Sequence, residues 1–170
     1  MRIVGVDPGL TTTGYGVVEV EGREVRLVEG GVIRADTPET PLETRLSSLY
    51  DGVLEMLQQF RPEALALEEL YSHYAHPETA ILMGHARGVI CLAAAKSGIP
   101  VFNYASTQIK LSATGNGRAP KDQVQRAIQA RLQLAEVPKP HDVADALAIA
   151  LCHHSVVGSP LWTATGGATP

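Results

Sequence analysis

β-Branched and other apolar residues dominate the first part of the chain, in the short runs that are typical of β-strands. Three such runs, at 2–7, 14–20 and 24–33, are joined by short turns. They predict three strands that form a meander. The first run ends in Asp7, directly before a Pro-Gly turn, so an acid is expected at the end of a buried strand.

From residue 42 onward, most apolar residues recur at the spacing of helices. This spacing predicts helices at 42–60, 78–96, 106–113, 120–132 and 141–155. Two further strands are predicted, one from residue 64 to Glu68 and one at 99–104. The chain therefore reads as a small α/β domain in which a second acid, Glu68, also ends a strand.

Local features sharpen this picture at a few positions. Ser106 is expected to cap its helix, and Pro120 to lie in the first turn of the next. The polar and aromatic segment 71–77 is expected to be a loop. One face of the helix at 78–96 collects six mainly apolar residues, Ile81, Leu82, His85, Val89, Leu92 and Ala93.

Composition limits the class of protein. The chain has 170 residues, of which 45% are hydrophobic, enough for one well-packed domain. Cys91 and Cys152 lie far apart in apolar surroundings, so we expect buried free thiols and no disulfide or zinc site. With no leader-like or membrane-spanning segment recognised, a soluble cytoplasmic protein is expected.

The charges are distributed unevenly along the chain. Residues 1–80 include 6 basic and 14 acidic residues, and residues 81–170 include 8 basic and 4 acidic ones. The net charges of these two parts are therefore −8 and +4. Such an asymmetry favours a local phosphate-binding face. Lys110, Arg118 and Lys121 flank a Gly/Asn turn and are candidates for it, whereas Arg126 and Arg131 are interpreted as solvated helix residues.

Glycines surround Asp7 in the sequence. On its own, Asp7 before Pro-Gly could be a turn residue that caps its own backbone. The neighbouring glycines at 5, 9, 14 and 16 favour a functional interpretation, because open backbone suits the close approach of a phosphate or a metal-bound ligand.

Two more acids, Asp142 and Asp145, are spaced i, i+3 near the start of the apolar last helix, so they share one face. Asp142 alone could be explained by the helix dipole. Each pair of like charges at about 4 Å costs on the order of 4 kcal/mol, so a cluster with Asp7 and Glu68 needs compensation. Hard divalent cations supply it, and two of them would fit a nuclease that hydrolyses phosphodiesters.

At this point the sequence resembles a known family, the RuvC-type Holliday-junction resolvases of the RNase H-like superfamily. The resemblance covers nearly the whole chain, through the segments GVDPGLTTTGYGVV, ALEELY, GHARGV, PVFNYASTQIK and DVADALAIA. It implies an RNase H-like fold over 1–157, a mixed five-stranded sheet flanked by helices on both faces. The tail, 158–170, has no match and is expected to be disordered.

The resemblance also implies site residues and partners. Asp7, Glu68, Asp142 and Asp145 match the four catalytic acids of the family, which bind two Mg²⁺ or Mn²⁺ ions. Tyr71 matches an aromatic residue that stacks on bases near the junction centre. Lys110 and Lys121 match residues that contact the DNA backbone. Members of the family nick four-way junctions symmetrically as homodimers, alongside RuvA and RuvB, in recombination and repair; the helix at 78–96 is the candidate dimer face.

Some alternatives remain open at this stage. His141 lies four residues before Asp145 and could assist or replace Asp142. Glu69 stands where the family commonly has a neutral residue, and the segment after Tyr71 carries histidine and tyrosine instead of lysine or asparagine. Other functions are an ATP-binding enzyme of the actin, sugar-kinase and Hsp70 superfamily, suggested by the DPGLTTTGYG turn, or a non-catalytic junction-binding module.

Overall fold

The computed structural model describes residues 1–22, 24–35, 37, 39–70 and 77–158. They form one mixed sheet in the order β3-β2-β1-β4-β5. Pairing is antiparallel among the first three strands and parallel between β1, β4 and β5, which confirms the predicted sheet. The strands are β1 (Arg2–Asp7), β2 (Thr12–Glu21), β3 (Glu24–Arg34), β4 (Ala64–Glu68) and β5 (Val101–Tyr104).

Helices cover both faces of this sheet. Apolar residues of β1 alternate between the faces, as the period of a strand requires: Ile3 belongs to the core under α3, α4 and α5, and Val4 to the core under α1 and α2. Among the described residues no helix is long and apolar enough to cross a membrane. The helices are α1 (Leu42–Phe60), α2 (Pro77–Lys96), α3 (Ser106–Thr114), α4 (Lys121–Arg131) and α5 (His141–Val157).

The helix starts differ from two local predictions. Ser106 is the first residue of α3 and not its cap, because Ala105 holds the cap position without a side-chain hydrogen bond. Pro120 likewise precedes α4 as its N-cap residue. Both cysteines are free as predicted, although only Cys152 is buried and Cys91 is half-buried. The loop predicted at 71–77 ends one residue too late, because Pro77 is the first residue of α2. Residues 71–76 of that loop and 159–170 of the tail lie outside the described residues.

The apolar face predicted for α2 is mostly not its core face. The buried residues of α2 are Ala86, Ile90, Ala93 and Ala94, of which only Ala93 belongs to the predicted face. Of the predicted face, Ile81, Leu82 and Leu92 are 61%, 39% and 49% exposed. Periodicity found a helix but not its inner face, because α2 has apolar residues on both sides.

The backbone of α5 packs very closely against the first two strands. A Cβ atom at Gly5 would lie 2.0 Å from the carbonyl oxygen of Ala146, and one at Gly16 would lie 2.6 Å from Cδ2 of Leu147. Both distances are far below ordinary contact, so α5 can lie this close only against bare backbone. These glycines therefore admit a helix, which corrects the expectation that they leave room for a ligand.

This packing predicts a graded response to added methyl groups. Gly5→Ala would push against the backbone of α5 and should lower the free energy of unfolding by about 3 kcal/mol or more. Gly16→Ala should cost about 1 to 3 kcal/mol, since its contact is mainly the side chain of Leu147. Urea denaturation of the purified variants measures both.

A double-mutant cycle is the control for this prediction. In the Leu147→Ala background, the cost of Gly16→Ala should shrink clearly, because the clashing atoms are gone. The cost of Gly5→Ala in the same background should stay as it was. Equal and small costs at both glycines would show that α5 does not depend on them.

Candidate active site

The two acids predicted at strand ends lie together at one edge of the sheet. β1 and β4 are parallel neighbours whose last ladder pair is Val6 with Leu67, so Asp7 and Glu68 occupy the next position in each strand. Neighbouring strands are about 4.8 Å apart and matched positions share a face. Both side chains are partly buried, and both line the same two cavities.

The turn after Asp7 has its own closing contacts. The backbone N–H of Gly9 donates to Oγ1 of Thr13 at 3.1 Å, and the Thr13 hydroxyl donates back to the Gly9 carbonyl at 2.7 Å. Thr13 is fully buried. Thr13 therefore closes the turn, and a turn-capping role is not needed to explain Asp7.

The start of α5 brings the other two acids to this edge. Gly14 is the register partner of Asp7 in β2, and a Cβ at Gly14 would lie 2.3 Å from the carbonyl oxygen of Asp142. The first turn of α5 thus lies directly beside the strand that pairs with β1. Asp145, one turn further along, lines a cavity of about 270 Å³. Its polar lining residues are Asp7, Glu68, Ser106, Lys110, Lys121 and Asp145.

The arrangement of these acids affects the pKa of Asp7. Burial, and then the negative charges of Asp145, Glu68 and Asp142, raise the pKa of Asp7 from 3.8 to about 7. Lys121 opposes this shift. A carboxyl group surrounded in this way gains a large stabilisation from any added positive charge, so the four predicted acids behave as one electrostatic cluster.

Lys121 contacts an acid in the structure. Its Nζ lies 2.7 Å from Oδ2 of Asp145, with the lysine side chain 60% exposed. The hydrogen bond to Asp145 is the main reason that the pKa of Lys121 is raised. The ammonium group therefore supplies one positive charge to the acid cluster, a contact that charge counting along the sequence does not reveal.

The other predicted cations differ in position. Lys110 lines the cavity, whereas Arg118 is exposed on the loop before α4 and is not among the cavity residues. Arg126 is exposed and lies 3.6 Å from Asp122 on its own helix, as expected of a solvated residue. Arg131 differs from that expectation, because it is half-buried and donates to Oγ of Ser155 at 3.0 Å. The predicted base-stacking residue Tyr71 lies outside the described residues.

His141 has a different partner from the acids. Its Nδ1 lies 3.0 Å from Nε2 of Gln125, a buried residue of α4. His141 does not line either cavity that contains Asp7. Asp142, by contrast, is close enough to contribute to the raised pKa of Asp7. Asp142 is not a lining residue of these cavities either, so its negative charge acting on Asp7 is what favours it over His141 as the fourth member of the cluster.

The donor set fits a hard divalent cation. All four acids offer carboxylate oxygens, the ligands that Mg²⁺ and Mn²⁺ prefer. The pKa of Asp7 is raised by burial and by the neighbouring acids, and a bound cation would offset both effects. Across the part of the chain that the structure describes, no three acid, histidine or cysteine side chains are already gathered as ligands of one ion. Lys121 holds Asp145 instead.

Sequence reasoning missed several residues at this edge. Ser106 lines both cavities and Thr107 lines the larger one, of about 590 Å³. Arg87 of α2 donates to the backbone carbonyl of Glu68. The serine and threonine follow the end of β5, and polar residues after a strand that is parallel to β4 were the available signal. No sequence pattern pointed to Arg87 as a neighbour of Glu68.

The raised pKa of Asp7 predicts how stability depends on pH. Between pH 3.8 and about 7 the unfolded chain loses this proton while the fold keeps it, so stability falls as pH rises through that range. A shift of this size corresponds to about 4 kcal/mol at most. In a chelator at pH 8, Asp7→Asn should therefore raise the free energy of unfolding by about 2 kcal/mol.

The comparison across pH is the control. At about pH 3, below the ordinary pKa of 3.8, the carboxyl carries its proton in both the folded and the unfolded chain, so Asp7→Asn should change the denaturation midpoint little. Added Mg²⁺ should stabilise the wild type more than the variant. A variant that is less stable than the wild type at pH 8 in chelator would contradict the electrostatic account.

The chain matches known proteins over almost its full length. A sequence model of the family described as crossover junction endodeoxyribonuclease RuvC matches residues 3–153. The protein of that name from Rhodopirellula baltica is 52% identical over 159 residues, covering 94% of this chain and 89% of the relative. That from Pelotomaculum thermopropionicum is 50% identical, covering 90% and 92%.

Solved structures agree with this match. Thermus thermophilus RuvC in complex with a Holliday junction substrate has a TM-score of 0.87 and 38% identity, covering 100% of this chain and 99% of that one. These matches favour the nuclease interpretation over the ATP-binding and non-catalytic alternatives. The chain belongs to the RuvC family of crossover junction endodeoxyribonucleases, within the RNase H-like fold.

Proposed function

We propose that this chain is a structure-selective endonuclease that resolves four-way DNA junctions by paired symmetric nicks, as a homodimer in the cytoplasm. The observation that carries the proposal is the acid cluster: Asp7, Glu68 and Asp145 line one cavity beside two lysines, and Asp142 contributes to the same electrostatic field. Residues 1–157 form the nuclease domain. RuvA and RuvB are the partners that the family resemblance implies.

The proposed reaction is hydrolysis of a phosphodiester. Two bound Mg²⁺ or Mn²⁺ ions would activate water and stabilise the leaving oxygen. Asp7 and Glu68 would hold cations from the strand side, and Asp142 and Asp145 from the helix side. Cation binding requires Asp7 to release its proton, since the carboxylate is the ligand. Lys110 and Lys121 would bind phosphate oxygens at the cavity mouth.

The direct test uses a synthetic four-way junction. The wild-type protein should retard it in a gel with chelator present and nick it when Mg²⁺ is added. Asp7→Asn should keep the binding and lose the nicking, because the amide preserves shape but removes the charge that holds a cation. Nicking by this variant at a rate near that of the wild type would exclude Asp7 as a ligand, and binding without any wild-type nicking would favour a non-catalytic module.

A second prediction separates Asp142 from His141. Asp142→Asn should abolish Mg²⁺-dependent nicking, because a carboxylate is the better ligand for Mg²⁺ than an imidazole. His141→Ala should retain most of it, with a changed pH profile if the imidazole relays a proton. Single-turnover cleavage in Mg²⁺ and in Mn²⁺ from about pH 6 to 9 measures both. An inactive His141→Ala beside an active Asp142→Asn would reverse the assignment.

The basic residues predict a change in salt dependence. Lys110→Ala and Lys121→Ala should each weaken junction binding, and the slope of log affinity against log salt should flatten by about one for every phosphate that the protein no longer neutralises. Arg126→Ala is the control, because Arg126 is exposed and close to Asp122. Equal effects of all three substitutions would indicate a diffuse positive field and no local phosphate site.

The proposed dimer contact is the exposed apolar stripe of α2, defined as Ile81, Leu82 and Leu92. These side chains are 61%, 39% and 49% exposed. Ile81 and Leu92 are about three turns apart and lie on the same side of the helix, and Leu82 flanks them. A second copy of the chain is the occupant that a homodimeric nuclease requires. The stripe would pack against the same stripe of its partner, as in a two-fold symmetric interface.

This proposal predicts the effect of charge on the oligomeric state. Ile81→Glu combined with Leu92→Glu should convert the dimer to a monomer at micromolar concentration, because like charges would face each other in an apolar contact. Leu111→Glu is the matched control, since Leu111 is 54% exposed on α3. Sedimentation equilibrium measures the mass. A double variant that remains dimeric would remove this stripe from the interface.

A further inference from the structure

Arg87 lies between a helix and two strand ends. It is a half-buried residue of α2. One terminal nitrogen of its guanidinium donates to the backbone carbonyl of Glu68, and the other donates to Oδ1 of Asn103 in β5. A single side chain therefore connects α2 with β4 and β5 at the edge where the acid cluster lies.

The hydrogen bond to Glu68 lies where strand pairing stops. The ladder between β1 and β4 ends with the pair Val6 and Leu67, one residue before Glu68. On the β5 side, the N–H of Glu69 still donates to the carbonyl of Tyr104 at 2.8 Å. A backbone carbonyl in this setting needs a donor, and Arg87 provides one at the residue that carries the catalytic carboxylate.

The chemistry of the contacts indicates what Arg87 does. Its two acceptors, a peptide carbonyl and a side-chain amide, are both neutral oxygens. The planar fork of a guanidinium fixes two such acceptors in a set geometry. Lysine, with a single flexible ammonium group, would neutralise charge equally well but would not fix both. The observed contacts thus depend on the direction of the donors and not on the charge alone.

Resting on the proposed nuclease function, we infer that Arg87 is a positioning residue for Glu68. By holding the carbonyl of Glu68 against Asn103, it sets where the Glu68 carboxylate projects relative to Asp7. Displacing a reacting group by about 1 Å can cost roughly 100-fold in rate. Groups that orient metal ligands typically affect metal affinity by about 10- to 100-fold when removed.

The location on α2 adds a consequence. The same helix carries the exposed stripe proposed as the dimer contact, on a side of α2 different from its core residues. Arg87 therefore links the position of Glu68 to α2, the helix through which two copies would meet. In a dimer, Arg87 of each copy would hold Glu68 in a fixed position relative to the α2 interface.

The test compares three variants with a matched control. Arg87→Gln removes the fork, Arg87→Lys keeps the charge but not the fork, and Asn103→Ala removes one of the two acceptors. Arg131→Lys is the control, because Arg131 is also a half-buried arginine with a side-chain hydrogen bond and lies away from the acid cluster. Unfolding by urea is recorded for all four.

Two readouts distinguish positioning from a general structural role. In single-turnover nicking of a four-way junction, the cleavage rate constant should fall about 10- to 100-fold in Arg87→Gln. Junction affinity in chelator should be unchanged within about twofold. Arg87→Lys and Asn103→Ala should lie between this variant and the wild type. Calorimetric titration with Mn²⁺ alone, without DNA, should show about tenfold weaker binding in Arg87→Gln, whereas Arg131→Lys should match the wild type.

Other outcomes would overturn the inference. If Arg87→Lys and Asn103→Ala bind Mn²⁺ and nick as the wild type does, Arg87 does not position Glu68, and this holds even if Arg87→Gln fails to fold. Equal losses in Arg131→Lys would attribute the effect to stability. Absence of nicking by the wild type would refute the proposed function, and the Mn²⁺ titration would still decide the role of Arg87.

Discussion

The close approach of α5 to the first two strands is the constraint on which the candidate site depends. Gly5 and Gly16 present bare backbone where a Cβ would collide with the helix, and Gly14 does the same where α5 begins. Because the helix lies so near the sheet, the carboxylates of its first two turns reach the edge where β1 and β4 end. A larger residue at any of these three positions would move one half of the acid cluster away from the other.

Bringing acids together in this way has an electrostatic cost that the fold compensates in part. Asp7 has a pKa of about 7 and so keeps its proton up to that pH, and Lys121 donates to Asp145 at 2.7 Å. The proton on Asp7 removes a negative charge, and the ammonium group of Lys121 adds a positive one, where the proposed cations would bind. The fold therefore tolerates the cluster without metal, while the remaining negative charge favours divalent cations. Lys121 is mostly exposed, so its flexible side chain can turn toward phosphate.

The helix α2 combines two surfaces with different roles. Its small residues Ala86, Ala93 and Ala94 pack against the core, and its larger apolar residues, including Ile81 and Leu92, remain exposed. From the same helix, Arg87 donates to the backbone carbonyl of Glu68 at the end of β4. The exposed stripe is the proposed contact with a second copy. The geometry of one helix thus bears on both the active site and the proposed assembly.

The sequence by itself determined the order of strands and helices and placed Asp7 and Glu68 at strand ends, because those features follow from local periodicity and from the Pro-Gly turn. It also predicted that Asp145 shares a helix face with Asp142. Only the tertiary structure decided that α5 packs against the glycines, that Lys121 contacts Asp145, and that Arg87 donates to the backbone carbonyl of Glu68. These contacts join residues distant in the chain, and periodicity within one element carries no information about which other element covers it.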